Sequence, residues 1–209
     1  NSPEALDETF FKNNENFIRD ELANYIQLIL ASNDKERYLS KNNLNYKRID
    51  LIGSILPKSK FLITVREPLQ HAHSLLRQHI HFSKLQKKDD FIRRYMNYLG
   101  HNEFGLNHKP WNNPIKYHDY NKIDYWLEQW FLFYQNIFDK YSSYKNCFFV
   151  IYEELENINY VKKLIDKISL KQNEDIKFNY FKNQNKEKIN IKYNENNYDN
   201  AKSIYRKFL

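Results

Sequence analysis

The sequence is poor in cysteine, glycine and proline, and it lacks a long apolar run. Its 209 residues include one cysteine, Cys147, so an intramolecular disulfide is excluded, and the His/Cys spacing of a metal site is absent. A chain without a disulfide framework is typical of reducing compartments, and we expect a cytoplasmic protein. No stretch of about 18 apolar residues occurs, so no membrane span is expected. Residues 1–4 have neither the basic nor the apolar region of a signal peptide.

Aromatic and basic residues, by contrast, are abundant. Apolar residues make up 41% of the chain and aromatic residues 17%, which is enough to build a globular core. The length predicts a single domain over residues 1–209. A net charge of +7 suits a polyanionic partner such as nucleic acid, an acidic polysaccharide, a membrane surface or a phosphorylated nucleotide. The other interpretation is a basic surface without a specific role, produced by lysine-rich coding.

Apolar residues recur at helical spacing in six segments. These are residues 16–30, 46–56, 68–85, 90–99, 123–141 and 159–168. In 123–141 the recurring residues are mainly aromatic, and they either form a core stripe or line a substrate channel. Residues 101–120 are predicted to be a long loop, and residues 171–209 a polar, partly mobile tail.

Short apolar runs between these helices predict strands. Residues 60–65 and 147–152 are typical of buried parallel strands, and residues 37–40 are a shorter candidate. Strands that alternate with helices predict a helix-rich α/β fold of three layers, in which helices cover both faces of a central parallel sheet.

Two of the predicted strands end in a basic residue. Lys41 follows the first, and Arg66 follows residues 60–65. Ligands of open parallel α/β sheets bind outside the carboxyl ends of the strands, so both cations are predicted to meet an anion there. Arg66 can hold a phosphate through two parallel hydrogen bonds. His71 and Ser74 are three positions apart on the helix that Pro68 begins, and therefore share a face.

Residues 63–74 combine an apolar strand end, the triplet Arg66-Glu67-Pro68 and, eight positions after the arginine, Ser74. This arrangement resembles the 3′-phosphate-binding motif of sulfotransferases that use 3′-phosphoadenosine 5′-phosphosulfate (PAPS). Lys41, which lies 25 positions before Arg66, resembles the Lys-Asn-Pro-like segment that precedes this motif in the family. Residues 150–155 resemble the Val-x-Tyr-Glu-Asp-Leu strand that follows the motif in the family. Three further segments resemble one bacterial branch of it, residues 4–11, 70–79 and 99–105.

The resemblance covers most of residues 1–170, and it implies the P-loop NTPase-like sulfotransferase fold. The implied reaction moves a sulfuryl group from PAPS to a hydroxyl or amine of a small-molecule, lipid or carbohydrate acceptor, without a metal. Lys41 is the candidate cation beside the transferring group, and Arg66 and Ser74 are the candidate 3′-phosphate ligands. Glu8 is the leading candidate for the base that takes the acceptor proton, with Glu4 and Asp7 behind it. His71 and His101 are its rivals.

One family feature is missing. Sulfotransferases begin with a phosphate loop, Arg-Ser-Gly-Thr-Thr-like, that holds the 5′-phosphosulfate at a helix N-terminus. The three glycines, at positions 53, 100 and 105, do not supply it. We expect about 30 further residues upstream, and we expect residues 1–209 alone to be inactive. The alternative is a degenerate relative that no longer binds the cofactor.

Two other functions and several structural roles remain open. A P-loop nucleotide kinase would need an upstream lysine and acidic magnesium ligands, and neither strand ends in an aspartate. A non-enzymatic nucleic-acid-binding module would show basic residues interleaved with exposed aromatics. Arg66 could instead cap a helix or pair with Glu67, and Ser74 could return its hydroxyl to a helix carbonyl.

Overall fold

The computed structural model describes residues 13–170 and 189–209. Its contacts divide the chain into two compact units, residues 1–61 and 62–209. The sequence predicted a single domain over residues 1–209. Of the helices in the described ranges, none has the length and apolarity needed to cross a bilayer.

The described part of the first unit, residues 13–61, contains two α-helices, α1 (Glu15–Ser32) and α2 (Ile49–Ile55), and a 3-10 helix (Asn43–Arg48) that leads into α2. Helix α1 follows the predicted apolar spacing but contains no fully buried residue. Asn42 caps the 3-10 helix, since its side chain accepts a hydrogen bond from the Leu44 amide at 2.8 Å.

The strand predicted at residues 37–40 does not form. These residues have no regular secondary structure, and Leu39 is 88% exposed. A strand needs a neighbour to pair with and an apolar face to bury, and this segment has neither among the described residues. Lys41 is therefore an exposed residue of an irregular segment, and the prediction that it ends a sheet strand is wrong.

The second unit contains the parallel two-stranded sheet formed by β1 (Phe61–Val65, which begins at the unit boundary) and β2 (Cys147–Ile151). Its helices are α3 (Pro68–Lys88), α4 (Asp90–Tyr98), α5 (Ile123–Tyr141), α6 (Ile158–Lys167) and α7 (Glu195–Arg206). A 3-10 helix, Tyr152–Glu156, follows β2. Both predicted strands are confirmed as strands, and the helix-rich α/β class is confirmed with them. Only two strands lie in the described residues, so a larger central sheet stays a prediction.

Burial of β1 is less complete than the sequence predicted. Val65 is fully buried, but Leu62 is 44% exposed, so one face of the strand is not covered along its whole length. The apolar residues on both faces of β1 predicted that both faces are buried, but one of them is partly exposed to solvent.

Helix α5 lies at the centre of this unit and packs against both α3 and α7. On one side Trp126 and Leu127 pack with Ala72 and Leu76 of α3. On the other side Trp130 and Tyr134 pack with Val65, Ile151 and two residues of α7, Ala201 and Ile204. The aromatic stripe of α5 is thus core, the first of the two roles left open by the sequence.

Helix α7 lies in the segment that the sequence analysis placed in a polar, partly mobile tail. The helix instead buries Ala201 and Ile204 against the sheet and α5. Its sequence is largely polar, and only three of its residues are buried, Asn197 being the third. So few apolar residues give a weak amphipathic pattern, and the sequence therefore did not predict a helix that packs against the core.

Candidate functional site at the carboxyl end of the sheet

Arg66 and Glu67 form the turn between β1 and α3. Glu67 is the N-cap of α3, since its Oε2 accepts a hydrogen bond from the Gln70 amide at 2.8 Å. Pro68 occupies the first turn, where its fixed φ suits a helix and its missing N–H costs nothing. The helix therefore begins at Pro68, as predicted, and its positive N-terminal end lies at the carboxyl end of β1.

The carboxyl ends of both strands are linked. The Glu67 amide donates a hydrogen bond to Glu153 Oε1 at 2.9 Å, and Glu153 follows β2. The Arg66 guanidinium lies over the Tyr152 ring, 4.9 Å from its centroid. Stacking on an aromatic face orients the flat guanidinium. The two residues that directly follow β2, Tyr152 and Glu153, thus hold the turn between β1 and α3 in place.

Two tyrosines of α7 reach the same edge. Tyr198 donates its hydroxyl hydrogen to Glu67 Oε1 at 2.8 Å, and Tyr205 donates to Glu153 Oε2 at 2.8 Å. Burial raises the pKa of both phenols, and the hydrogen bonds to the carboxylates raise it further. Both tyrosines therefore stay protonated and act as donors throughout the physiological range.

His71 lies one turn into α3. Its Nδ1 is buried and has no hydrogen-bond partner in the described part of the chain, although the residue keeps some exposed surface. Burial, and then the charge of Arg66, lowers the pKa of His71 to about 4. The ring faces Tyr134, with 6.3 Å between centroids, and the Tyr134 hydroxyl donates to the Thr64 carbonyl at 2.7 Å. His71 is therefore a neutral imidazole at pH 7.

The other predicted site residues are distributed differently. Ser74 is exposed on α3, one turn after His71, so the predicted shared face agrees with the helix. Lys41 belongs to the first unit and Glu8 lies outside the described residues. Of the rival bases, His101 is exposed and pairs with Glu103 at 3.3 Å. In the second unit the structure thus brings Arg66 and His71 to the beginning of one helix.

Sequence reasoning missed the roles of the two carboxylates and of the two tyrosines. Residues 150–155 were noted only as a resemblance, and residues 195–206 were assigned to the tail. The seven-residue separation of Tyr198 and Tyr205, with Ala201 and Ile204 between them, is a helical pattern. That spacing is the signal that could have revealed them.

A second cluster of polar aromatic residues lies farther along α3. His79 Nδ1 accepts a hydrogen bond from the Gly105 amide at 3.3 Å, and the His108 ring lies 5.3 Å from the His79 ring. The nitrogen His108 Nε2 is 2.7 Å from the Tyr125 hydroxyl. Burial, and then neighbouring His79, lowers the pKa of His108 to about 4, against the opposing effect of the Asn102 and Glu103 carbonyls. This cluster packs against Trp126 and belongs to the core.

No cluster of three or more potential metal ligands occurs among residues 13–170 and 189–209. Comparison of the chain with models of protein families, with curated proteins and with solved structures finds no match.

Proposed function

We propose that the carboxyl end of the sheet binds the 3′-phosphate of PAPS and that the chain is a PAPS-dependent sulfotransferase. The acceptor is a hydroxyl or amine of a small molecule, lipid or carbohydrate. The single observation that carries the proposal is the position of Arg66. It directly follows a parallel strand, lies two positions before a 21-residue helix and is oriented by Tyr152.

Two fields of the same sign support anion binding at this position. The N-terminus of α3 carries a partial positive charge, and the Arg66 guanidinium adds a full one. A planar guanidinium offers paired N–H donors whose spacing matches two oxygens of one phosphate. The Ser74 hydroxyl, two turns into α3, is the proposed second phosphate ligand.

His71 is the proposed proton acceptor within the described residues. A general base must be unprotonated before the reaction, and the pKa of His71 meets this condition at neutral pH. The same low pKa makes the free imidazole a weak base, so the proposal requires that the negative charge of a bound nucleotide raise the pKa of His71 towards neutrality. Its buried Nδ1, which lacks a partner in the described residues, is a polar atom that a bound ligand could satisfy. Glu8, the leading candidate from the sequence, lies outside the described residues and is the alternative base. Lys41 is proposed as the cation for the transferring group on the motif resemblance alone. PAPS supplies the sulfuryl group, while these residues bind, orient and take up the proton.

The test compares three nucleotides on the purified chain: 3′-phosphoadenosine 5′-phosphate (PAP), 3′-AMP and 5′-AMP. The last two are isomers of equal charge, so only the position of the phosphate differs. We expect PAP and 3′-AMP to raise the melting temperature more than 5′-AMP. Arg66→Ala should weaken binding of PAP by about tenfold to a hundredfold, because a charge-assisted pair of hydrogen bonds is lost.

Arg94→Ala is the matched control, since Arg94 is an exposed arginine of α4 paired only locally with Asp90. If Arg66→Ala binds PAP as the wild type does, or if both isomers bind equally, Arg66 does not hold a 3′-phosphate. Tighter binding of ATP with Mg²⁺ than of PAP would favour the kinase alternative. Binding of a single-stranded oligonucleotide alone would favour the nucleic-acid module.

A further inference from the structure

The two glutamates beside Arg66 are held by an unusual set of donors. Each of their four carboxylate oxygens accepts one identified hydrogen bond. Two donors are backbone amides of the turn, Gln70 N on Glu67 Oε2 and Glu67 N on Glu153 Oε1. The other two are phenol hydroxyls, Tyr198 on Glu67 and Tyr205 on Glu153. The phenols come from α7, more than 50 residues away along the chain from either partner.

These carboxylates create an electrostatic problem for an anion site. A negative side chain next to Arg66 repels a phosphate and is also a ready partner for the guanidinium. Hydrogen-bond donors on a carboxylate disperse its charge and fix its orientation. In each group the backbone amide bonds one oxygen and the phenol bonds the other, so the tyrosine helps to fix the orientation of the carboxylate.

We propose that Tyr198 and Tyr205 are positioning residues that hold Glu67 and Glu153 in place so that the Arg66 edge selects a 3′-phosphate. This inference rests on the proposed function and adds a specificity device to it. The C-terminal helix then takes part in ligand binding without touching the ligand.

The anchoring of α7 is consistent with such a role. Ala201 and Ile204 are buried between the two tyrosines, so the helix is fixed by its own core contacts and not only by the hydroxyls. Asn197 adds a hydrogen bond from its side-chain amide to the Asp124 carbonyl of α5 at 2.9 Å. Removal of one hydroxyl should therefore leave the helix docked.

The test measures the ratio of the dissociation constants for 5′-AMP and 3′-AMP in Tyr198→Phe and in Tyr205→Phe. Each change removes one hydroxyl and keeps the ring. We expect the preference for 3′-AMP to fall about tenfold in each variant, because a hydrogen bond to a charged group is lost beside the phosphate. Tyr95→Phe, which removes a hydroxyl from an exposed ring of α4, is the control and should leave the ratio unchanged.

A rescue variant separates positioning from structural support. In Tyr198→Phe/Glu67→Gln the carboxylate charge is gone, while the amide oxygen can still accept from the Gln70 amide. We expect this double variant to recover most of the lost preference. The corresponding pair on the other side is Tyr205→Phe/Glu153→Gln.

A preference that survives both tyrosine substitutions in a wild type that favours 3′-AMP overturns this inference alone. Equal weakening of both isomers, with a lower melting temperature and no rescue, also overturns it, because that is the result of a purely structural role. A wild-type chain that binds neither isomer overturns the proposed function and this inference together.

Discussion

Gly105 adopts a φ of +90°, a region that residues with a side chain rarely occupy. A Cβ at this position would overlap the side-chain amide of Gln86. Because the loop backbone lies this close to α3, two of its amides bond to side chains of that helix. Leu106 N donates to Gln86 Oε1 at 2.6 Å, and Gly105 N donates to His79 Nδ1. The requirement for glycine is thus both conformational and steric.

We expect Gly105→Ala to lower the free energy of unfolding by about 2 kcal/mol or more, since backbone strain and overlap with Gln86 add. Denaturant unfolding followed by circular dichroism measures this change. Asn113→Ala, an exposed position of the same loop, should stay within about 0.5 kcal/mol of the wild type. An unchanged midpoint in Gly105→Ala would mean that the loop relaxes without cost.

Single residues also show the limits of sequence reasoning at the site. Arg66 and Pro68 could be placed in advance, because a strand end and a helix start are local features. The hydrogen-bond partners of Glu67 could not be predicted from such local features. It was considered as a partner of Arg66, whereas in the structure it caps α3 and accepts from Tyr198, which lies 131 positions away.

Helix α5 organises the long loop that precedes it. The Glu128 carboxylate is buried and accepts hydrogen bonds from three consecutive loop amides, those of Ile115, Lys116 and Tyr117. The side-chain amide of the next residue, Gln129, forms hydrogen bonds with both the backbone amide and the carbonyl of Asn112, each at 3.0 Å. A loop that carries no regular structure is therefore fixed by polar side chains of a helix, which supply the partners that its backbone requires.

Glu128→Ala should lower the free energy of unfolding by about 3 kcal/mol or more, because three backbone donors lose a charged acceptor at once. Hydrogen exchange should show lost protection at the amides of residues 115–117. Asp139→Ala, which removes an exposed carboxylate from the same helix, should change stability by less than about 0.5 kcal/mol. Retained protection in Glu128→Ala would show that the loop is held by other contacts.

Elements with a strong local pattern were predictable. The strands at 61–65 and 147–151 and the helices α3 and α5 carry dense apolar periodicity, and each lies where the sequence placed it. The strand at 37–40 and helix α7 were not predictable for opposite reasons. The first had strand-like residues but no partner strand within residues 13–170 and 189–209, and the second was polar but covers an apolar surface.

At the scale of the whole molecule, buried neutral histidines link stability to pH. The pKa values of His71 and His108 are lowered to about 4 in the folded chain, mainly by burial, while an exposed histidine titrates near 6.5. Between these values the unfolded chain binds protons that the folded chain does not. The free energy of unfolding should therefore fall as the pH is lowered from about 6.5 to about 4, by up to about 1.4 kcal/mol per pH unit for each histidine.

Melting temperatures measured from pH 7.5 to pH 4.5 test this expectation. His71→Gln and His108→Gln should each flatten the decline at acid pH, because the residue that takes up the proton on unfolding is gone. His118→Gln, at an exposed position, should leave the profile as in the wild type. A parallel decline in all three variants would place the acid sensitivity in the carboxylates instead.

The sequence by itself determined the α/β class, the two strands, the principal helices and the placement of Arg66 and His71 at the start of α3. These features depend on apolar periodicity and on strand and helix termini, which neighbouring residues specify. Only the tertiary structure decided that Tyr198 and Tyr205 complete the edge, that the aromatic stripe of α5 is core and that Lys41 follows no strand. Those outcomes depend on pairing and burial between segments far apart in the chain, and local sequence does not encode which surfaces will meet.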